Sequence, residues 1–359
     1  MTNVFPFDLP TSTSLYLVLF VATLVIHFIF MSYVLAGSVW VLVGLFGSKE
    51  KPSVVVDTLK DWIPLMLSGA ITAGVAPLLF IQVLYRQQFY TANLLQFHRW
   101  MAILPVLIVL FYLAYLVKAQ GDRHSIIQRA AAAICVCCVL FVAWSWSGNH
   151  VLSLQSHDIW QDQYASGVSV SQQTVVGLRL ALWITMTFPV LSCLLMWQLR
   201  NPRSDAGNQP PGVARTSAIA ICGTVAAVVM AIATGSQLPE TSREALMSGN
   251  GVLWLFSGGL GTIVQFSAWI QRFRCRQDTL VTRAVITLGI VLQLWGVMMC
   301  REVVRTTNLG DRVDFAGHAD AATSEGFLLF LLFCGINGTV AGWCIRLVRH
   351  GRSDDAGSE

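Results

Sequence analysis

Residues 13–46, TSLYLVLFVATLVIHFIFMSYVLAGSVWVLVGLF, decide the fold of this protein, because they form one apolar run without any aspartate, glutamate, lysine or arginine. A helix needs about 20 such residues to cross the hydrocarbon core of a bilayer, so this run is long enough to span it and too long for one straight crossing. The preceding residues, MTNVFPFDLP, lack the positive charge that begins a signal peptide. We therefore expect the run to remain in the protein as its first membrane helix.

The rest of the chain repeats this pattern. Of its 359 residues, 55% are hydrophobic and only 12% are charged, and the mean hydropathy is +0.63. Nine segments are apolar and long enough to be membrane spans: 13–46, 62–85, 100–118, 130–149, 175–199, 214–236, 250–271, 280–300 and 325–346. The sequence thus predicts an all-α integral membrane protein, a single polytopic domain over residues 1–359 built as a bundle of about nine transmembrane helices.

Lysine and arginine indicate the orientation of the bundle, since cytoplasmic links are enriched in them. Sixteen of the 23 basic residues fall in the links after the first, third, fifth and seventh spans or near the C-terminus. These links are predicted to be cytoplasmic, together with a polar linker at 201–212 and a flexible C-terminal tail at 350–359, while the N-terminus lies outside. The net charge of +4 then reflects the enrichment of basic residues in the cytoplasmic links. Membrane lipid is therefore an expected partner, and nucleic acid is not.

The basic residues and histidines that this rule leaves unexplained gather near the outer side. The remaining basic residues are Arg86, Arg99, Arg179, Arg243, Arg301, Arg305 and Arg312. The outer histidines are His98, His150, His157 and His318, and His27 lies within the first span. We therefore predict that the chemistry of the protein takes place at its outer side.

His27 is the most informative single residue, because ionisable side chains inside a membrane normally face a partner, a cavity or a cofactor. Two interpretations are open: a neutral imidazole bonded to a neighbouring helix, or a ligand of a haem or metal. If the last 20 or so residues of the first run cross the hydrocarbon, His27 is expected to lie near the outer boundary. That would bring it level with His98, His150 and Glu302.

A haem accounts for this collection of residues. Its iron takes one or two axial donors, its propionates pair with arginine in bidentate geometry, and its macrocycle packs against aromatic side chains. Arg99, Arg301 and Arg305 are candidates for the propionates, and Trp146 is a candidate for the packing. Glu302 adjoins two of these arginines in CREVVRTTNL. It could ligate ferric iron, relay protons, or form an ordinary ion pair at a helix end.

Four segments together resemble the haem-bearing large subunit of the cytochrome bd quinol oxidases, a family of the bacterial inner (cytoplasmic) membrane. LVIHFIF resembles the first helix of the family, SGAITAGVAPLLFIQVLYRQQFY the second, AWSWSGNHVL the end of the fourth through Trp146 and Asn149, and CREVVRTTNL a later helix end. The resemblance implies nine spans with the N-terminus outside. It also implies that His27 ligates an active-site haem, that Glu302 ligates a high-spin haem b, and that Arg305 is the arginine following that carboxylate.

The departures from the family are equally informative. His98, in LLQFHRW, stands where the family has a glutamate near the active-site haem, which makes His98 a further candidate for an axial and catalytic residue. Neither ligand of the low-spin haem of the family is evident in VVGLRLALWITM or LWLFSGGLGTIV, and the large quinol loop is reduced to SQLPETSREALMSGNG. The resemblance then implies a branch that keeps a two-haem active site and has lost quinol oxidation.

The predicted function is that of a membrane b-type cytochrome with haem b and a second haem. It would take electrons from a periplasmic c-type cytochrome or a partner subunit and reduce a small diatomic molecule, oxygen or nitric oxide. The chain itself has no CxxCH motif for covalent haem attachment. Three alternatives are open: a non-catalytic haem electron conduit, a membrane anchor subunit of a respiratory complex, and a transporter that uses His27. A metal site formed by His150 and His157 with nearby aspartates is a further hypothesis.

Overall fold

The computed structural model describes most of the chain. The described residues are 7, 9–46, 53–119, 126–167, 174–199, 212–276, 278–315, 317–318 and six positions between 332 and 346. All regular elements formed by these residues are helices. The all-α prediction is therefore confirmed for the described part of the chain.

In the described part of the chain, eight helices are long and apolar enough to cross a membrane. They are α1 (Thr11–Leu45), α2 (Val54–Leu84), α4 (Phe97–Ala119), α5 (Ile126–Ser153), α7 (Thr174–Gln198), α8 (Val213–Ser236), α10 (Gly249–Cys275) and α11 (Leu280–Leu309). Three short helices lie in the connections: α3 (Arg86–Leu95), α6 (His157–Ser166) and α9 (Glu240–Leu246). The first eight predicted spans coincide with the long helices, and most of the ninth, 325–346, lies outside the described residues.

Two helix ends differ from the predicted span ends for identifiable reasons. α2 begins well before residue 62, because the Ser53 hydroxyl caps it by accepting a hydrogen bond from the Val56 amide at 3.4 Å. α11 continues past residue 300 until Gly310, which has a φ of +49°. Hydropathy marks what lies in the membrane, whereas a helix ends where its backbone is interrupted. Glu302 and Arg305 are therefore inside α11, one turn apart.

Consecutive long helices pack antiparallel. Along α1 and α2, His27 contacts Ala70 whereas Gly37 lies against Leu59. We call the end of the bundle that contains Tyr85, the C-termini of α5 and α11 and residues 310–315 the upper end. The opposite end, with the α10–α11 connection, is the lower end. All the residues predicted to be functional lie in the upper half of their helices or between them.

Glycines allow α10 and α11 to pack with their backbones in contact. A Cβ atom at Gly289 would lie 2.7 Å from the Gln265 amide nitrogen, and one at Gly296 would lie 2.7 Å from the Cα of Gly258. Small residues of this kind permit close helix packing in membranes. The same seam contains a partly buried hydrogen bond of 2.9 Å from the Gln293 amide to the Thr262 hydroxyl. This pair of helices forms a rigid support for Glu302 and Arg305.

At the lower end, Asp278 joins two buried arginines. Its carboxylate accepts hydrogen bonds from Arg283 Nη2 at 2.6 Å and from Arg272 Nε at 3.2 Å, and the three side chains are almost fully buried. Burial by itself raises the pKa of Asp278, but the hydrogen bonds from Arg283 and Arg272 outweigh burial and lower it. This connection holds α10 and α11 together at the end opposite the glycine contacts of Gly296.

Replacing Asp278 with Asn is expected to cost about 3–5 kcal/mol of unfolding free energy at neutral pH, because two buried arginines lose their counterion. Since the folded-state pKa of Asp278 is lowered, its contribution is present above the unfolded value of about 3.9 and is lost as the pH falls through the folded value. Unfolding curves in detergent at pH 7 and at pH 3 test this. The difference between Asp278→Asn and the wild type should shrink at the lower pH.

Asp61 provides the matched control at the same end. It pairs with Lys118 at 3.9 Å, but its side chain is 64% exposed. Asp61→Asn is expected to cost less than about 1 kcal/mol. Equal effects of the two substitutions would contradict the structural role given to Asp278.

Candidate functional site

A buried group of ionisable side chains lies at the upper end, centred on Glu302. Glu302 has an exposure of 0%. One carboxylate oxygen accepts a hydrogen bond from Arg301 Nη1 at 2.6 Å, and the other accepts from the Tyr85 hydroxyl at 3.0 Å and from Arg305 Nη1 at 3.4 Å. Three donors from α11 and the end of α2 therefore fix this carboxylate. Glu302 is consequently an interior residue, and an ion pair on the surface, one of its predicted interpretations, is excluded.

His150, on α5, connects to the same arginines. Its Nδ1 atom lies 3.3 Å from Arg301 Nη2 and is also hydrogen-bonded to Arg305 Nη2. Guanidinium nitrogens only donate, so Nδ1 must accept, and the proton of the neutral ring is on Nε2. His150 thus binds to the arginine side of the group.

Arg179, on α7, completes the group. It interacts electrostatically with Glu302, Arg301 and Arg305, and its guanidinium lies 5.9 Å from the centre of the Trp183 ring. We call this group the arginine cluster; its members are Tyr85, His150, Arg179, Arg301, Glu302 and Arg305. Side chains from the end of α2, from α5 and from α11 are therefore joined by hydrogen bonds. Arg179 of α7 interacts with them electrostatically.

The arginine cluster carries more positive than negative charge. Among the described residues it contains three guanidinium groups and one carboxylate, a net charge of about +2 with neutral His150. Arg305 is 1% exposed, and its Nε atom is buried without an acceptor in the described part of the chain. The ring of Phe20, 5.5 Å from the Arg301 guanidinium, stabilises part of this charge. A buried site of this composition favours an anionic ligand.

His27 lies deeper in the bundle than the cluster. Its Nδ1 atom is 2.9 Å from the Ala70 carbonyl oxygen of α2 and donates to it, and a Cβ atom at Gly74 would lie 2.9 Å from the ring carbon Cε1. Phe20, which contacts the arginines, precedes His27 by about two helical turns, or roughly 10 Å. The expectation that His27 lies level with Glu302 is therefore wrong. The reason is that α11 extends beyond residue 300 and carries Glu302 outward.

The other predicted residues surround the corner between α3 and α4. His98 is exposed, and its ring lies 5.4 Å from that of Phe97. Arg99 is half-buried, with Nη1 lacking an acceptor among the described residues. Trp146 packs against Trp100, with 4.8 Å between ring centres. Among the contacts of the described residues, none links His98, Arg99 or Trp146 to Glu302, so the structure brings together Arg301, Glu302 and Arg305 but not all seven candidates.

The hypothesis of a metal site near His150 receives no support. His157 is hydrogen-bonded to Gln161 at 3.0 Å on exposed α6, whereas His150 binds the arginines. The described residues contain no group of three or more His, Cys, Asp or Glu side chains arranged to hold a metal ion. A haem iron, which needs one or two axial donors from the protein, requires no such group.

Sequence reasoning did not assign Tyr85 or Arg179 to the site. Arg179 had a detectable signal, because it is a charged residue within the apolar run VVGLRLALWITM. Tyr85 had none, since its bond to Glu302 joins residues more than 200 positions apart and depends on the packing of α2 against α11.

Comparison with known proteins adds no identification: no protein-family model matches the chain, and no curated protein matches it. The resemblance to the bd oxidases therefore rests on the four segments quoted above.

Proposed function

We propose that this protein is a membrane b-type cytochrome similar to the large subunit of the bd oxidases. In this proposal it takes electrons from a c-type cytochrome or partner subunit and reduces oxygen or nitric oxide. The observation that carries the proposal is the excess of positive charge in the arginine cluster, where Arg305 is buried and the other two arginines are partly buried. Haem propionates would supply the negative charge that this site favours.

The arginine cluster has the chemistry needed to hold propionates. Arginine binds carboxylates through two parallel N–H donors. The Nε atom of Arg305 is a donor without a hydrogen-bond acceptor in the described part of the chain. Arg179, Arg301 and Arg305 would share the propionates in this proposal. Arg99, whose Nη1 atom also lacks an acceptor in the described part of the chain, would serve a second haem.

His27 has the chemistry of an axial ligand. Metal-binding histidines usually donate one ring N–H to a carbonyl or carboxylate, which fixes the tautomer and leaves the other nitrogen for the metal. The bond from His27 Nδ1 to the Ala70 carbonyl has this form and leaves Nε2 for iron. The absence of a side chain at Gly74 gives the ring its space. When bound, the haem supplies a redox-active iron that can bind a diatomic molecule.

Glu302 and His98 have different roles in this proposal. The Glu302 carboxylate already accepts three hydrogen bonds, which leave about one of its four lone-pair positions for a further partner. The main role that we propose for Glu302 is to hold Arg301 and Arg305 in place. His98, exposed at the upper end, is the proposed donor to the second haem or to a partner subunit.

The proposed orientation follows from the basic residues. The upper end faces the periplasm of a bacterial cytoplasmic membrane, with the N-terminus outside and the C-terminus inside. A c-type electron donor would then approach the upper end. This end carries the arginine cluster and the short helices α3, α6 and α9.

The decisive experiment is a reduced-minus-oxidised absorption spectrum of the purified protein with and without carbon monoxide. We expect b-type bands that shift with carbon monoxide, because diatomic chemistry requires an open position on iron. Replacing His27 with Ala should remove at least one haem per chain while the protein still inserts, since an axial ligand is lost. Haem content per chain is measured by pyridine haemochrome assay.

His157→Ala is the control, because His157 is exposed and, among the described residues, is hydrogen-bonded to Gln161 of the same helix. Its haem content should equal that of the wild type. Unchanged haem in His27→Ala would refute the ligand assignment, and bands insensitive to carbon monoxide would favour the electron conduit.

The same charge excess favours one other function, the transport of a small anion. Under that alternative, well-folded protein shows no haem bands and binds an anion at the arginine cluster. Transporters commonly have helices broken at the substrate site, whereas Pro64, Pro77, Pro105 and Pro189 lie inside helices that continue through them. We therefore place the cytochrome first.

A further inference from the structure

A cavity of about 210 Å³ opens at the lower end between α10 and α11. Its walls are formed by the last turns of α10 and the first turns of α11. It lies at the opposite end of the bundle from the arginine cluster, and nothing in the proposed function uses it.

The lining of this cavity changes from polar to apolar with depth. At the helix ends lie Cys275, the last residue of α10, and Thr279, which caps α11. Gln271 and Thr282 lie about one turn deeper, and Val285 lies about two turns deeper on α11. A ligand that fits this gradient has a polar head at the helix ends and an apolar part toward the membrane interior.

The stretch of chain that surrounds the mouth of the cavity is strongly basic, although no arginine among the described residues lines the cavity itself. Residues 272–283 contain four arginines and one aspartate. Arg272 and Arg283 share Asp278, whereas Arg274 and Arg276 are exposed. The net charge of this stretch is about +3, so its head-group partner is an anion.

The outer wall of the cavity faces the lipid. Val281 is 72% exposed and Val285 is 37% exposed, and both belong to a helix that crosses the membrane. A soluble anion would gain nothing from these apolar side chains. An acyl chain would cover them.

We propose that this cavity binds an anionic phospholipid. Its phosphate pairs with Arg274 and Arg276, its glycerol region lies by Gln271, Thr279 and Thr282, and an acyl chain covers Val281 and Val285. Basic pockets between membrane helices are suited to anionic head groups. The proposal is independent of haem binding.

The test uses the full-length protein in detergent and follows its thermal unfolding during titration with phosphatidylglycerol, phosphatidylcholine or inorganic phosphate. We expect phosphatidylglycerol to raise the unfolding temperature, and the other two to have little effect. The double variant Arg274→Gln/Arg276→Gln should weaken the apparent affinity for phosphatidylglycerol at least tenfold. The double variant Arg86→Gln/Arg243→Gln removes the same charge from exposed positions at the other end and should bind like the wild type.

A second pair of variants tests the cavity without changing charge. Val285→Trp fills the cavity and should also weaken phosphatidylglycerol binding, whereas Val291→Trp places the same side chain on another exposed face of α11 and should not. Equal loss in both double arginine variants would show non-specific attraction and overturn the proposal. An equal effect of inorganic phosphate would identify a soluble-anion site, and an equal effect of phosphatidylcholine would rule out selection by charge.

Discussion

A Glu302→Ala variant is expected to lose about 3–5 kcal/mol of unfolding free energy, because it leaves three arginines at the upper end without their carboxylate. Glu302 is fully buried and accepts hydrogen bonds from Arg301, Arg305 and Tyr85. The loss is measured by denaturant unfolding in detergent. The double variant Glu302→Ala/Arg305→Ala should lose less unfolding free energy than the two single variants together. It removes the carboxylate and also one of the arginines that would otherwise lack a counterion.

Glu244→Ala is the matched control for Glu302→Ala. Glu244 is exposed on α9 at the same end of the bundle, and its removal should change stability by no more than about 0.5 kcal/mol. If Glu302→Ala were as harmless, the arginine cluster would be held by another anion, and the central role of Glu302 would be wrong.

A stability effect of a different kind, caused by overpacking, is expected at the glycine seam between α10 and α11. Gly296→Ala places a Cβ atom 2.7 Å from the Cα of Gly258 and nearer still to its amide nitrogen, so one helix must move. Overpacking of this kind costs about 1–3 kcal/mol and sometimes more. The measurement is again the midpoint of unfolding in detergent, supported by the yield of folded protein.

Gly259→Ala is the matched control, because it should change the stability in the opposite direction or not at all. A Cβ atom at Gly259 would meet nothing within 4 Å, and alanine is the better helix former by about 1 kcal/mol. We expect Gly259→Ala to be neutral or stabilising and Gly296→Ala to be destabilising. The same sign for both would mean that α10 and α11 are not in backbone contact.

The membrane bundle could be predicted because it depends on length and hydropathy alone. Each of the eight long helices contains an apolar stretch that only a helix can carry across lipid. The helices α3, α6 and α9 were missed because they are short and polar, as in RQQFYTANLL. The extent of α11 was missed because hydropathy falls at Arg301 while the helix continues to Leu309.

The site was predictable only where its residues are close in sequence. The pairing of Glu302 with Arg301 and Arg305 follows from their spacing on one helix. The contribution of His150, Tyr85 and Arg179 depends on which helices are neighbours, and no local pattern contains this information. His98 is a candidate because it stands where the family has a glutamate, and that correspondence contains no information about its exposed position at the start of α4.

The length of α1 has an electrical consequence. Its 35 residues correspond to about 50 Å of helix, and His27 lies close to the middle. A charge at this depth senses about half of the transmembrane voltage, roughly 1 kcal/mol per elementary charge at 100 mV. Moving an electron or a proton between the upper end and His27 would therefore cost or release free energy that depends on the membrane potential. The protonation or redox equilibrium of a group at His27 would shift when the membrane is energised.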